Sequence, residues 1–100
     1  LLDKYIIFFE GDTRIELPKI SLPRINFVFI DGSHTYDDVM FEFNSIRSYQ
    51  KKGDLIFFDD YNNIKFPGIV KAVDEICKNF NYDKKIIKSL DNKFVITTKI

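Results

Sequence analysis

Apolar residues occur along the chain in short runs that are separated by turn-forming and acidic residues. Three continuous apolar runs, at residues 5–9, 27–30 and 55–58, are typical of strands that are buried on both faces. Turn-forming or acidic residues end each run, at residues 10–13, 31–33 and 59–61. A short turn or helix is expected at residues 14–17, before Pro18. The pattern predicts three strands in a sheet that is covered on both sides.

A helical spacing of apolar residues begins after the second run. One helix face is formed by residues three or four positions apart: Val39, Phe43, Ile46 and then Tyr49 or Gln50. Thr35 and Asp38 resemble a capping box at its start. Two lysines and a glycine at residues 51–53 are expected to end it.

A second helix and a hairpin are predicted for the last third of the chain. Pro67 fits a first helical residue, and a broad apolar face continues to Phe80. Residues 85–90 and 94–100 are predicted strands, joined by Asp91 and Asn92. Strands alternating with helices imply right-handed crossovers. We therefore expect a single α/β domain with a mostly parallel sheet and a C-terminal antiparallel hairpin.

Composition and charge exclude several classes of protein. The hydrophobic fraction of 45%, with 11 Phe and 5 Tyr, indicates a chain that forms a core. The formal net charge is +0, so no basic excess favours nucleic-acid or membrane binding. Cys77 is the single cysteine, which excludes an internal disulfide. No apolar run reaches the length of a membrane span, and we expect a cytoplasmic protein.

Acidic residues follow two strands that are predicted to be neighbours. Asp31 follows the second apolar run, and Asp59 with Asp60 follows the third. The carboxyl ends of parallel strands lie at one edge of the sheet, where ligands bind in open α/β folds. Three ionised carboxylates at one place need a counter-charge, and Mg²⁺ prefers oxygen ligands. Capping or Asx-turn roles are the alternative for each of these residues.

Further candidates surround the same edge. His34 is the single histidine, and an imidazole can accept a proton from a hydroxyl; a surface or capping role is the alternative. Tyr36 and Tyr61 flank the mouth as packing residues or substrate contacts. Gly11, Asp12 and Thr13 end the first strand with small and polar residues that a flat ligand could approach.

Several motifs together resemble class I S-adenosylmethionine-dependent methyltransferases. The residues that carry the resemblance are FIDGSHTY at 29–36, a helix that ends at Lys52-Gly53, LIFFDDY at 55–61, Pro67-Gly68 and VKAV at 70–73. The group most similar in these motifs O-methylates sugars and small natural products, and the resemblance runs from about residue 8 to the C-terminus.

The resemblance implies a Rossmann-like fold and a role for each candidate. Asp31, Asp59 and Asp60 would bind a divalent cation such as Mg²⁺, and Asp31 would also lie near the cofactor. His34 would act as the general base. Gly11, Asp12, Thr13 and Arg14 would border the adenine ring of S-adenosylmethionine, and the partner would be a sugar or small-molecule acceptor.

The chain departs from the family in its first part. The glycine-rich loop that holds the methionine end of the cofactor is missing, as is the acidic residue that binds the ribose. We therefore expect residues 1–100 to be the second half of a methyltransferase domain that binds the cofactor weakly or not at all alone. An exposed sheet edge would favour a homo-oligomer.

Two alternatives belong to other classes. A non-catalytic remnant or interaction module would keep the fold without the cofactor site. A receiver-like signalling domain also groups carboxylates around Mg²⁺, but it presents the acidic pair first and the single aspartate later, the reverse of the order here.

Overall fold

The structure, a computed structural model, describes residues 6–10, 24–31, 34–90 and 92–100. Strands and helices follow one another as predicted. In chain order they are β1 (Ile6–Glu10), β2 (Phe27–Asp31), α1 (Tyr36–Ile46), a 3₁₀ turn (Arg47–Tyr49), β3 (Leu55–Phe58), α2 (Pro67–Asn79), β4 (Tyr82–Lys88) and β5 (Lys93–Lys99). The turn or helix predicted at residues 14–17 lies outside the described residues.

The described strands form one five-stranded sheet in the order β1-β2-β3-β5-β4. β1 pairs parallel with β2, and β2 pairs parallel with β3. β5 is antiparallel to both of its neighbours, β3 and β4. The mostly parallel sheet with a C-terminal antiparallel hairpin is therefore confirmed.

The start of α1 agrees with the sequence pattern, but its end does not. Thr35 is the N-cap, and its hydroxyl accepts a hydrogen bond from the backbone N–H of Asp38 at 3.2 Å. The helix ends at Ile46 and not at residues 51–53. Gln50 is extended and buried, and its side-chain amide donates to the carbonyls of Ile25 and Leu55. These bonds to the backbone of the sheet hold the chain out of the helical path.

The core lies between the sheet and the two helices. Phe43 of α1 is fully buried and packs edge-on against Phe80 and Tyr82. Apolar residues of α2 at helical spacing complete this layer: Ile69, Ala72, Val73 and Ile76. Because α1 and α2 share this core, the loops at their N-termini are held close together. None of the described helices has the length and apolarity needed to cross a membrane.

β4 begins three residues earlier than predicted. Asn81 has a positive φ of 61°, which ends the helical segment and turns the chain into the strand. Tyr82 is then 3% exposed, and its hydroxyl donates to Gln50 Oε1 at 2.5 Å. The buried tyrosine extends the ladder with β5 to the pair Tyr82 and Lys99.

An ion pair closes the amino end of the sheet. Asp54 is 2% exposed, and its carboxylate accepts from Arg24 Nε at 2.9 Å and Nη2 at 2.8 Å. It also accepts from the backbone N–H of Lys51 at 2.7 Å. The segment before β2 is thereby tied to the turn before β3, at the edge opposite the predicted site.

Candidate functional site

The carboxyl ends of β2 and β3 bring two of the predicted aspartates together. Ile30 and Phe58 are partners in the parallel ladder, so Asp31 and Asp59 continue the two strands side by side. The backbone N–H of Asp59 donates to the carbonyl of Ile30 at 3.2 Å. The predicted convergence of Asp31 and Asp59 at one sheet edge is present in the fold.

His34 is held at this edge by two contacts. Its Nε2 lies 2.9 Å from Asp60 Oδ2, and its ring stacks on Phe66 with centroids 4.0 Å apart and an angle of 13°. The side chains of His34 and Asp60 are 42% and 28% exposed. The imidazole is thus oriented by a carboxylate and a ring while it stays accessible to a small molecule.

The position of Asp60 depends on an unusual backbone conformation. Its φ is +57°, in the left-handed region that few residues other than glycine adopt, though aspartate tolerates it. Asp59 Oδ1 accepts from the N–H of Asp60 at 2.9 Å, and the carbonyl of Asp60 accepts from the N–H of Asn62 at 2.8 Å. These local bonds fix the turn that directs the Asp60 carboxylate to His34.

The hairpin between β4 and β5 also reaches the site. Asn92 Nδ2 donates to Asp59 Oδ1 at 3.1 Å, and Asn92 Oδ1 accepts from the N–H of Lys93 at 2.9 Å. The sequence pattern assigned Asn92 to turn formation alone. Its contact with Asp59 was missed because it joins residues that are distant in the chain.

The described side chains do not assemble the predicted metal site. No group of three or more His, Cys, Asp or Glu residues within the described ranges could hold a metal ion. Asp60 is paired with His34, and Asp59 Oδ1 accepts two hydrogen bonds. Asp31, Asp59 and Asp60 therefore share an edge of the sheet, but they do not fit a three-carboxylate metal centre as they are arranged.

Tyr36 connects the two helices. Its hydroxyl donates to Glu75 Oε2 at 2.5 Å, and this hydrogen bond raises the pKa of the tyrosine, with burial and the negative charge adding to the effect. Lys71 Nζ lies 4.6 Å from the centre of its ring. The hydroxyl is used within the protein, and the predicted substrate contact of Tyr36 stays a prediction.

Tyr61 lies in the core and not at the mouth of the site. It is 5% exposed, and burial raises the pKa of its hydroxyl. This hydroxyl donates to Asp74 Oδ1 at 3.0 Å and accepts from Lys84 Nζ at 3.3 Å. The burial argues against the predicted substrate contact. The left-handed residue Asp60 turns the chain, so the tyrosine after it is directed inward.

Gly68 lets the start of α2 approach the loop that carries His34. A Cβ at Gly68 would lie 2.7 Å from the backbone N of Tyr36 and 3.3 Å from the carbonyl O of His34. Such distances exclude a side chain unless the loop moves. The Pro67-Gly68 pair therefore has a packing role, and Phe66 directly before it supplies the ring under the imidazole.

The predicted cofactor contacts are only partly within the described structure. Asp31 is exposed at the end of β2. Gly11, Asp12, Thr13 and Arg14 lie outside the described residues, so their predicted role at the adenine ring stays a prediction.

Sequence comparison finds a family for this chain. A family model described as a methyltransferase domain matches residues 1–61. An uncharacterised protein of Acanthamoeba polyphaga mimivirus is 38% identical over 61 residues, which are 60% of this chain and 28% of that protein. The chain therefore spans less than a third of this relative.

Solved structures share the fold at low sequence identity. The O-methyltransferase NovP matches with a TM-score of 0.62 and 19% identity, over 83% of this chain and 33% of that one. A putative O-methyltransferase from Klebsiella pneumoniae matches with a TM-score of 0.63 and 12% identity, over 79% of this chain and 42% of that chain. An O-methyltransferase from Bacillus cereus in complex with SAH matches with a TM-score of 0.58 and 16% identity, over 80% of this chain and 43% of that chain.

Two independent findings thus agree. The family model covers more than half of the chain, and the sheet order with its C-terminal hairpin matches Rossmann-like methyltransferases. The chain belongs to the methyltransferase-domain family, and its fold corresponds to part of a class I methyltransferase.

Proposed function

We propose that the protein containing this chain transfers a methyl group from S-adenosylmethionine to a hydroxyl of a sugar or small molecule. Support comes from the methyltransferase family and from O-methyltransferases of the same fold, one of them in complex with SAH. The observation that carries the choice of a hydroxyl acceptor is the oriented His34, which is paired with Asp60 at the sheet edge where ligands bind.

His34 is the proposed general base. The Asp60 carboxylate favours the tautomer with a proton on Nε2, which leaves the Nδ1 lone pair to accept a proton. Stacking on Phe66 limits rotation of the ring. An acceptor hydroxyl beside Nδ1 would lose its proton as its oxygen attacks. Base catalysis of this kind contributes about 10²- to 10⁴-fold to a rate.

S-adenosylmethionine supplies a methyl group that is activated by its bond to a positively charged sulfur. The acceptor oxygen forms the new C–O bond while the C–S bond breaks and its electron pair returns to sulfur. Asp31 and residues 11–14 are proposed to border the cofactor. The protein's part is to hold acceptor and methyl group in line, where orientation supplies much of the rate.

Metal assistance through Asp31, Asp59 and Asp60 is a finer part of the proposal. It would require these three carboxylates to rearrange, since no group of three such side chains within the described residues could hold a metal ion. No step above passes through a metal ion. Methyl transfer measured with added Mg²⁺ and with EDTA separates the two cases.

Formation of S-adenosylhomocysteine from S-adenosylmethionine, with a panel of hydroxylated sugars and phenols, tests the function. His34→Gln should lower kcat by about 10²-fold or more with little change in the KM of the cofactor. Asp60→Asn should lower kcat by about tenfold or more, because the amide no longer fixes the tautomer. Asp37→Asn, on the exposed first turn of α1, is the matched control.

Equal rates for the control and for both site variants would remove His34 from the mechanism. No methyl transfer to any acceptor, together with no cofactor binding, would favour the non-catalytic interaction module.

A further inference from the structure

A polar groove lies beside the candidate site on the hairpin side. Its volume is about 230 Å³. Its lining comes from the loop after β3 and from the β4–β5 hairpin: Asn62, Lys88, Ser89, Leu90, Asn92 and Lys93. Asn62 and Asn92 also contact Asp60 and Asp59 of the candidate site.

The groove offers hydrogen-bond donors and positive charge. Lys88 and Lys93 are partners in the β4–β5 ladder and both line the groove, and Lys93 Nζ lies 5.4 Å from the centre of the Tyr61 ring. No ion pair joins either lysine to a carboxylate in the part of the chain that the structure describes. Asn62 Oδ1 already accepts from the N–H groups of Ile64 and Lys65, which leaves only the N–H donors of its amide for a ligand.

A chain of short contacts connects the groove with His34. Asn92, which lines the groove, donates to Asp59, and the same Asp59 oxygen accepts from the N–H of Asp60. Asp60 in turn contacts His34. The groove and the proposed base therefore lie at the two ends of one chain of side-chain contacts.

The two ends carry opposite charge. Asp59 and Asp60 repel an anion near His34, whereas Lys88 and Lys93 attract one at the hairpin. This difference in charge would direct the acidic group of a ligand to the lysines and a neutral hydroxyl to His34. Leu90, fully exposed beside the lysines, offers an apolar contact for the C–H face of a sugar ring.

Resting on the function proposed above, we propose that this groove is an acceptor subsite that binds the carboxylate or phosphate of an acidic sugar. Lys88 and Lys93 contact the anion, and the ring extends past Asn92 to place a hydroxyl at His34. The subsite selects acidic over neutral acceptors and does not take part in the chemical step.

Binding can be measured without any methyl transfer. Titration of the isotope-labelled chain with glucuronate, glucose 6-phosphate and glucose, followed by two-dimensional NMR, should shift the amides of Ser89 and Lys93 with the two acidic sugars. Glucuronate and glucose 6-phosphate separate the carboxylate from the phosphate as the preferred anion. Glucose should bind at least tenfold more weakly, and a higher salt concentration should lower the affinity of the chain for the two acidic sugars.

A charge-matched pair of double variants supplies the control. Lys88→Gln with Lys93→Gln should weaken binding of the acidic sugars about tenfold, because each lysine–anion contact of this kind changes affinity by about twofold to fivefold. Lys78→Gln with Lys85→Gln, exposed residues that do not line the groove, should leave binding unchanged. Unchanged spectra of other residues show that each variant is folded.

Equal binding of glucose and the acidic sugars, no shift with any of the three, or unchanged binding by the Lys88 and Lys93 variant would overturn the subsite. These outcomes are distinct from failure of the proposed function. Methyl transfer to acidic sugars at an unchanged rate in the Lys88 and Lys93 variant would support the function and reject the subsite. Binding of acidic sugars without methyl transfer would reject the function and leave an anion-binding groove that is not an acceptor subsite.

Discussion

Replacement of Gly68 by alanine tests whether the start of α2 positions the loop of His34. The new Cβ would lie 2.7 Å from the backbone N of Tyr36, and ordinary contacts begin at 3.4 Å. The nearest atoms are backbone atoms of residues 34–36, which cannot rotate away as a flexible side chain would. The loop or the helix must therefore move by several tenths of an ångström.

Two opposing terms set the size of the effect. Overpacking of this kind costs about 1–3 kcal/mol. Alanine in place of glycine in a helix raises the free energy of unfolding by up to about 1 kcal/mol, because alanine has the higher helix propensity. We therefore expect Gly68→Ala to lower the free energy of unfolding by about 1–2 kcal/mol, a large share of the about 5–15 kcal/mol that is typical of domains. The unfolding temperature should fall by about 5–10 °C.

Gly53→Ala is the matched control. Gly53 has a φ of +95°, and nothing lies within 4 Å of its added Cβ. The substitution strains the backbone, at about 1–2 kcal/mol, but it pushes on no neighbour. Urea unfolding followed by circular dichroism measures both variants, and two-dimensional NMR reports the amides of residues 34–36. Only Gly68→Ala should move these amides. A variant as stable as the original chain, with these amides unmoved, would refute the close approach.

Three further substitutions test other contacts. Tyr36→Phe should lower the urea concentration at the midpoint of unfolding, because it removes the hydrogen bond to Glu75; an unchanged midpoint would contradict a stabilising role for this bond. Asp54→Ala should cost about 2–3 kcal/mol, less than for a fully buried pair because Arg24 is 37% exposed and can be solvated again; a cost below that of Tyr36→Phe would contradict this. Burial raises the pKa of the Cys77 thiol from 9.0 to about 11. The contribution of the neutral thiol to stability is therefore complete below about pH 9, and it is lost as the pH rises to about 11 because the thiol ionises first in the unfolded chain. Over this range the unfolding free energy should fall by up to about 2 kcal/mol more in the original chain than in Cys77→Ala, and parallel pH profiles would contradict the shift.

The sheet and the positions of the acidic residues could be predicted because they depend on local patterns. The apolar runs at β2 and β3 define the strands, and parallel pairing then places Asp31 beside Asp59. Thr35 and Pro67 marked the starts of both helices correctly. Residues close together in the chain define each strand and each helix start, and the general rule for strands alternating with helices supplies the parallel pairing.

The contacts that orient His34 could not be predicted in this way. Asp60 reaches His34 only because its φ is positive, and a sequence pattern does not reveal that choice for an aspartate. The same turn directs Tyr61 into the core, in agreement with the expected packing role and not with the expected substrate contact. Phe66 and Asn92 contact the site across 32 and 33 residues of sequence respectively. Tertiary packing decides these contacts, so they appear only when the strands and helices are assembled.

The end of α1 was also predicted wrongly because contacts between distant residues decide it. Lys51, Lys52 and Gly53 have the residue types of a helix stop, yet the helix ends earlier, at Ile46. The buried amide of Gln50 bonds to two backbone carbonyls of the sheet. Those bonds outweigh the local preference, and Gly53 serves instead in the turn before β3.

Calorimetric titration of S-adenosylhomocysteine into the protein from the complete reading frame that contains these residues tests the central claim most directly. The titration is made once with Mg²⁺ and once with EDTA. Saturable one-to-one binding is the predicted result, and equal binding in both conditions would show that the cofactor needs no metal. No binding in either condition would contradict a methyltransferase function and leave a methyltransferase fold with another role.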